Sequence, residues 1–128
     1  MPTILLKKGA LHDIRAWGSE SSCQILELLE ELEKNANPDA GALWRLINDT
    51  ADSGVTRNKE KCRPVQGKKG KGLYEFKARG GTRIIWFYDR KDIICTHGFK
   101  KGQPLATAIK TGQAIKKRHF EEKENAAQ

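Results

Sequence analysis

No apolar run in this chain is long enough to cross a membrane, which takes ~20 consecutive residues. The opening MPTILLKK also lacks the apolar centre of a signal peptide. Cysteine is scarce: Cys23, Cys62 and Cys95 form no CxxC pair and are odd in number. That gives neither a disulfide framework nor a cysteine zinc site, and it fits a reducing compartment. Internal repeats and linker-like stretches are missing too. The expectation is therefore a soluble, cytoplasmic protein with one domain spanning residues 1–128 and a fraying tail at 121–128. A chain of this length can bury a core without metal or disulfide support.

Acidic residues are the other shortage, and a local one. Residues 57–101 hold fourteen Lys or Arg against four acids, 14 − 4 = +10, while the whole chain has a net charge of +8. The excess positive charge therefore lies in one segment. Such a field attracts polyanions, of which nucleic acid is the commonest in a cytosol. The competing reading is a solvated basic surface that serves solubility alone.

Periodicity supplies the elements. TILLKK reads as a short strand and LHDIRAW as a helical stretch that Gly18 ends. Ser21 and Gln24 fit a capping box ahead of CQILELLEELEKN. There Ile25, Leu28, Leu29 and Leu32 recur at helical spacing, with glutamates opposite. Asn37-Pro38 starts a second helix with Leu43, Leu46 and Ile47 on one face, and Gly54 stops it. Residues 55–72 show no apolar period, and QGKKGKG reads as a flexible basic loop. LYEFKA, TRIIWFY and DIICTHGF then switch to strand character and suit an antiparallel meander. LATAIKTGQAIKKRHFEEKEN closes as a helix, weakened at Gly112 by about 1 kcal/mol relative to alanine. The fold class is α+β, with helices packed on one face of the meander and the other face left open for a ligand.

Four stretches carry a resemblance. DIRAW at 13–17, GLYEFKA at 72–78, GTRIIWFYD at 81–89 and ICTHGFKKGQ at 94–103 resemble, in order, motifs of the RelE/HigB/ParE superfamily of bacterial toxins. They lie nearest its phage-derived HigB-like group, in which DIRAW corresponds to an early helix. The resemblance implies a RelE-like fold and the toxin of a type II toxin–antitoxin pair. It implies an endoribonuclease, an mRNA interferase that inhibits translation by cutting mRNA, usually on the ribosome. The RNA's own 2′-hydroxyl would be the nucleophile, with no metal or other cofactor. The implied partners are mRNA, the ribosome and an antitoxin of helix-turn-helix type. The chain departs from the pattern at Lys77, where the group has arginine, and at Thr82, where it has an aromatic. It also has no tyrosine beyond Tyr88.

Phosphodiester attack builds negative charge that fixed cations stabilise. Arg83 stands just before the apolar run IIWFY, where a charge needs a reason, and its planar fork suits a phosphate. An ion pair with Glu75 is the competing reading. A two-residue turn at Gly80-Gly81 would place Lys77 on the opposite face from Arg83, and a three-residue loop from Arg79 to Gly81 would pair the two directly. His97, at a strand end, titrates near neutrality and suits proton transfer as either acid or base. A histidine satisfied by the backbone is the alternative. His12 and His119 read as ordinary surface groups. The candidate catalytic set is Arg83, His97, Lys77 and Lys101, and the candidate RNA-binding set is Lys68, Lys69, Lys71, Arg79 and Lys100. Tyr74, Trp86 and Tyr88 are either base-stacking platforms or core. Two rival functions keep the basic surface: a ParE-type inhibitor of DNA gyrase, and a nucleic-acid-binding module without catalysis.

Overall fold

Period-two alternation organises the molecule. The computed structural model describes residues 2–54, 62–65 and 67–127. Its strands are β1 (Thr3–Lys8), β2 (Asp13–Trp17), β3 (Cys62–Pro64), β4 (Tyr74–Lys77), β5 (Arg83–Asp89) and β6 (Asp92–Phe99). Its helices are α1 (Gln24–Lys34), α2 (Asp39–Ser53) and α3 (Leu105–Ala127). The strands join in a six-stranded sheet of order β1-β2-β6-β5-β4-β3. Every neighbouring pair is antiparallel except β2 with β6. The fold is α+β, and the expected meander is β4, β5 and β6.

Ile84 and Trp86 of β5 join Ile14, Phe76, Ile93 and the buried leucines of α1 and α2 in one core. Ile85 and Phe87 point the other way and pack with Leu73, Ile94, Ala108 and Ile109. Helices thus cover both faces, which corrects the expectation of a second face left open. The cause is legible in β5 itself: all four residues Ile84–Phe87 are fully buried, and a strand apolar on both sides needs cover on both. Gly112 lies where α3 packs tightly on the sheet. A Cβ there would lie 3.0 Å from Ile85 Cγ2 and 3.2 Å from Leu73 Cδ1.

The stretch LHDIRAW is not helical. Its DIRAW portion is β2, with Ile14 and Ala16 buried and Asp13, Arg15 and Trp17 half-buried. It pairs with β1 on one side and runs parallel to β6 on the other. Seven residues with four apolar positions fit either period, and strand pairing decided between them. The early-helix correspondence for DIRAW falls with it. Regular structure also enters the stretch read as aperiodic, as β3 and a 3-10 turn at Lys68–Gly70. Residues 55–61 and 66 of that stretch lie outside the described residues.

The expected capping box is replaced by something more consequential. Helix α1 has no side-chain cap. Gln24 instead grips the backbone of Gly98, donating from Nε2 to its carbonyl and accepting its N–H at Oε1, both at 2.9 Å. A Cβ at Gly98 would collide with Leu28 Cδ2, so any larger residue would displace that buried leucine where α1 meets β6. For α2, Asn37 caps as expected, its Oδ1 accepting from the Asp39 N–H at 3.0 Å. Gly54, at φ 78°, closes the other end.

Candidate nucleic-acid cleft

The β4–β5 connection settles which register the sequence left open. Ala78 N donates to Thr82 O at 2.8 Å and Gly81 N to Ala78 O at 2.9 Å. The three-residue loop is the one present, and Lys77 pairs directly with Arg83. Arg83 in turn pairs with Phe99 of β6. One cross-strand row therefore reads Lys77, Arg83, Phe99, on the face that α3 covers further along.

Asp39 holds this hairpin from the start of α2. Its buried carboxylate accepts from Gly80 N (2.9 Å), Thr82 N (3.3 Å) and Thr82 Oγ1 (2.7 Å). Thr82, the departure from the toxin motif, thus has a structural task. Gly81, at φ 98°, lets the Lys101 stem close against the hairpin, since a Cβ there would lie 2.7 Å from Lys101 Cβ. The lysine turn is closed by Gln103, which accepts the Lys100 N–H at 2.8 Å through Oε1.

Between hairpin and lysine turn lies a cleft of about 300 Å³ lined by Lys77, Arg79, Arg83, Phe99, Lys100 and Lys101, with Leu105 at its edge. Five cations meet there, and no acidic side chain lines it among the described residues. Two carboxylates act on it from outside. Glu75, 3% exposed, accepts from Arg83 Nη1 at 3.4 Å and from Arg63 Nε at 3.1 Å. The Glu75 pairing raised for Arg83 is therefore real, and it coexists with the cleft position. Glu31 holds Lys100 at 2.9 Å, but both side chains are about half-exposed, and such pairs contribute ~0–1 kcal/mol.

The remaining candidates sit elsewhere. His97 pairs with Ile85, one row from Arg83 and Phe99, or ~7 Å along the strands. Its ring stacks near Phe99 at 6.0 Å between centroids. Burial alone holds its imidazole below the ordinary range, so the ring is neutral at pH 7. Lys68, Lys69 and Lys71 lie before β4, at its far end from Lys77, where Gln113 Nε2 of α3 donates to the carbonyls of Lys69 and Lys71. They do not line the cleft. Trp86 is fully buried among Tyr74, Phe76 and Tyr88, in the core under α1 and α2, so these aromatics are not stacking platforms in the cleft. Nor is His119 a plain surface group: its Nε2 meets Asp89 Oδ2 at 2.9 Å, beside Lys123 at 2.8 Å, tying α3 to the end of β5.

Sequence reasoning missed Asp39 and Arg63, and gave Gln24 a capping role in place of its grip on Gly98. Each acts on a partner distant in sequence, and Asp39 in particular reads as an ordinary first-turn acid. The thiols of Cys62 and Cys95 are poor nucleophile candidates, because burial pushes Cys62 up to about 11 and Cys95 higher still. Among the described residues no three His, Cys, Asp or Glu side chains form a metal-holding group, and no helix is long and apolar enough to cross a membrane.

No curated protein matches the chain. The family described as Phage derived protein Gp49-like (DUF891), a toxin family of toxin–antitoxin systems of RelE/HigB-like kind, matches residues 12–119, and the chain belongs to it.

Proposed function

We propose that this protein is a toxin of a type II toxin–antitoxin pair that acts as a metal-independent endoribonuclease on mRNA engaged by ribosomes. The observation that carries the proposal is the convergence of Lys77, Arg79, Arg83, Lys100 and Lys101 on one cleft. In the reaction the RNA 2′-hydroxyl gives up its proton and its oxygen bonds to the adjacent phosphorus. The bond from phosphorus to the 5′-oxygen breaks, and that oxygen takes a proton. The products are a 2′,3′-cyclic phosphate and a 5′-hydroxyl.

The extra negative charge at phosphorus is what Arg83 and Lys77 stabilise. Arg83 is the better fixed of the two, because Glu75 limits its rotamers, and a preorganised cation need not reorganise as charge develops. His97 handles a proton from the neighbouring row, and a cleft ammonium, Lys101 or Lys77, supplies one to the leaving oxygen. Lys100, Arg79 and, further off, Lys68, Lys69 and Lys71 hold flanking phosphates. Such contacts give affinity without base choice. The family implies an antitoxin partner, and in this reading that partner is of helix-turn-helix type.

The test uses ribosomes stalled on a synthetic mRNA. Products should carry 2′,3′-cyclic phosphate ends with EDTA present, and a 2′-deoxy substitution at the cut site should abolish cleavage. A second reading, a binder without catalysis, draws on the Arg83–Glu75 pair and on the position of His97 outside the cleft lining. Ends of the stated chemistry would remove it.

A further inference from the structure

Neighbouring residues of a regular strand point to opposite faces, and Thr96 and His97 do not. The β5–β6 register slips between Ile85 and Trp86: Ile85 pairs with His97 and Trp86 with Cys95, which leaves Thr96 as the extra residue of a bulge. Thr96 Oγ1 lies on the α3 side, 3.7 Å from where a Cβ on Gly112 would be. His97 shares that side through its pairing with Ile85 and its stacking on Phe99. The bulge thus brings two consecutive side chains together, and bulges that re-aim a side chain are common beside active sites.

The resulting contacts fix where the protons are. Thr96 Oγ1 is 3.1 Å from the Ile85 carbonyl oxygen and 2.9 Å from His97 Nδ1. A carbonyl oxygen only accepts, so without a proton between them the two oxygens would repel. The hydroxyl has one proton, and it goes to Ile85. The contact to Nδ1 is then a hydrogen bond only if Nδ1 carries the ring proton. Thr96 is 3% exposed, so water does not compete for these groups. The ring's other nitrogen, Nε2, has no hydrogen-bond partner among the described residues. It is also absent from the buried unpaired nitrogens found there, those of Trp17 and Trp86, so it reaches solvent.

We infer that Thr96 is a positioning residue that holds His97 in the Nδ1–H tautomer, leaving the Nε2 lone pair outward as the base that takes the 2′-hydroxyl proton. This rests on the nuclease function proposed above, and it chooses base over acid for the first proton transfer. The neutral ring has its acceptor ready and need not change tautomer before it acts.

The test is a long-range ¹H–¹⁵N correlation spectrum of the imidazoles in the full chain, beside single-turnover cleavage of ribosome-bound mRNA. It compares wild type, Thr96→Val and Thr96→Ser. Wild type should show a pyrrole-type Nδ1 and a pyridine-type Nε2 for His97. Thr96→Val should move the ring toward Nε2–H. Its cleavage rate should fall at least about ten-fold at unchanged KM, within the ~10²–10⁴ that a general base contributes. Thr96→Ser should restore both, and if the valine variant does not fold, the wild-type and serine spectra decide. A wild-type ring in the Nε2–H form, or a tautomer unmoved by valine, would overturn the inference while leaving the nuclease function standing. An Nδ1–H ring in a protein that cuts no RNA would overturn the nuclease function and the base role together.

Discussion

Arg83 stands directly opposite Lys77 across β4 and β5, and the same arginine donates from Nη1 to the buried Glu75 at 3.4 Å. A cation held from behind by a carboxylate and flanked by a second cation has the restricted geometry that the proposed phosphate contact requires. Glu75 also accepts from Arg63, so one buried acid orients two guanidinium groups.

Glu75→Gln should keep the shape and lose the charge. Arg63 and Arg83 are partly exposed, which dilutes the cost, and a loss of ~1–2 kcal/mol is expected in urea denaturation. Cleavage should fall about ten-fold, less than on removing Arg83 itself, because the arginine remains but is no longer held. Unchanged stability with unchanged rate would mean that Glu75 does not position the guanidinium.

Asp39→Ala removes the acceptor for three donors of the 78–82 hairpin. The buried Thr82 hydroxyl and amide would lose their partner, and a cost of ~2–4 kcal/mol follows. The consequence should reach the cleft, because this hairpin sets Lys77 opposite Arg83. Calorimetry and RNA binding on one sample would check it: a fall in Tm with RNA affinity untouched would separate hairpin from site.

Acid should weaken the protein in two stages. The His97 imidazole is depressed below its ordinary 6.5 by burial. The unfolded chain therefore takes up that proton first, and stability falls as pH drops from 6.5 toward the folded value. Asp89 behaves as a depressed carboxylate: burial opposes its ionisation, but hydrogen bonds from His119 and Lys123 outweigh that. Its contribution is present above the ordinary 3.8 and is lost as pH falls through the lower folded value. Cleavage should follow the first stage, rising with pH as His97 deprotonates and then levelling. His97→Gln should flatten both the rate profile and the upper stage of the stability profile. A rate that rises toward acid would assign His97 the opposite role.

The lysines should sort by position. Lys100→Ala and Lys101→Ala should each weaken RNA binding and lower the slope of log K against log salt by ~0.7, as for one lost phosphate contact on a single strand. Lys68→Ala and Lys69→Ala, at the far end of β4, should change binding less. Equal effects from both groups would mean that the RNA path runs the length of α3 and is not confined to the cleft.

What the sequence could reveal follows from how local each determinant is. Helix α1 was legible because four apolar residues at helical spacing leave no other face to bury. The Asn37 cap was legible because its hydrogen bond closes within two residues. The run IIWFY carried the sign of a strand covered on both faces, yet nothing local says which helix supplies the second cover. β2 was misread because five residues satisfy either period until β1 and β6 offer their edges. In the site, the basic residues could be picked from charge placement alone. Their grouping depended on the 78–82 loop, on Asp39 and on Gln24, whose contacts span dozens of residues. Charge alone groups Lys68, Lys69 and Lys71 with the other candidate RNA-binding residues, and the length of β4 separates them from the cleft. The bulge at Thr96 had no signature, because it is a property of pairing and not of composition.

The most direct measurement is to express the protein in a short pulse and map new 5′ ends across cellular mRNA, with Arg83→Ala in parallel. Wild type should produce cuts that recur at a fixed position within codons. The alanine variant, folded and still able to bind RNA, should lose ~10²–10³ in cleavage and show none. Growth arrest without new ends would contradict the nuclease function and favour a gyrase-type target, and cuts that persist in Arg83→Ala would move the chemistry away from this cleft.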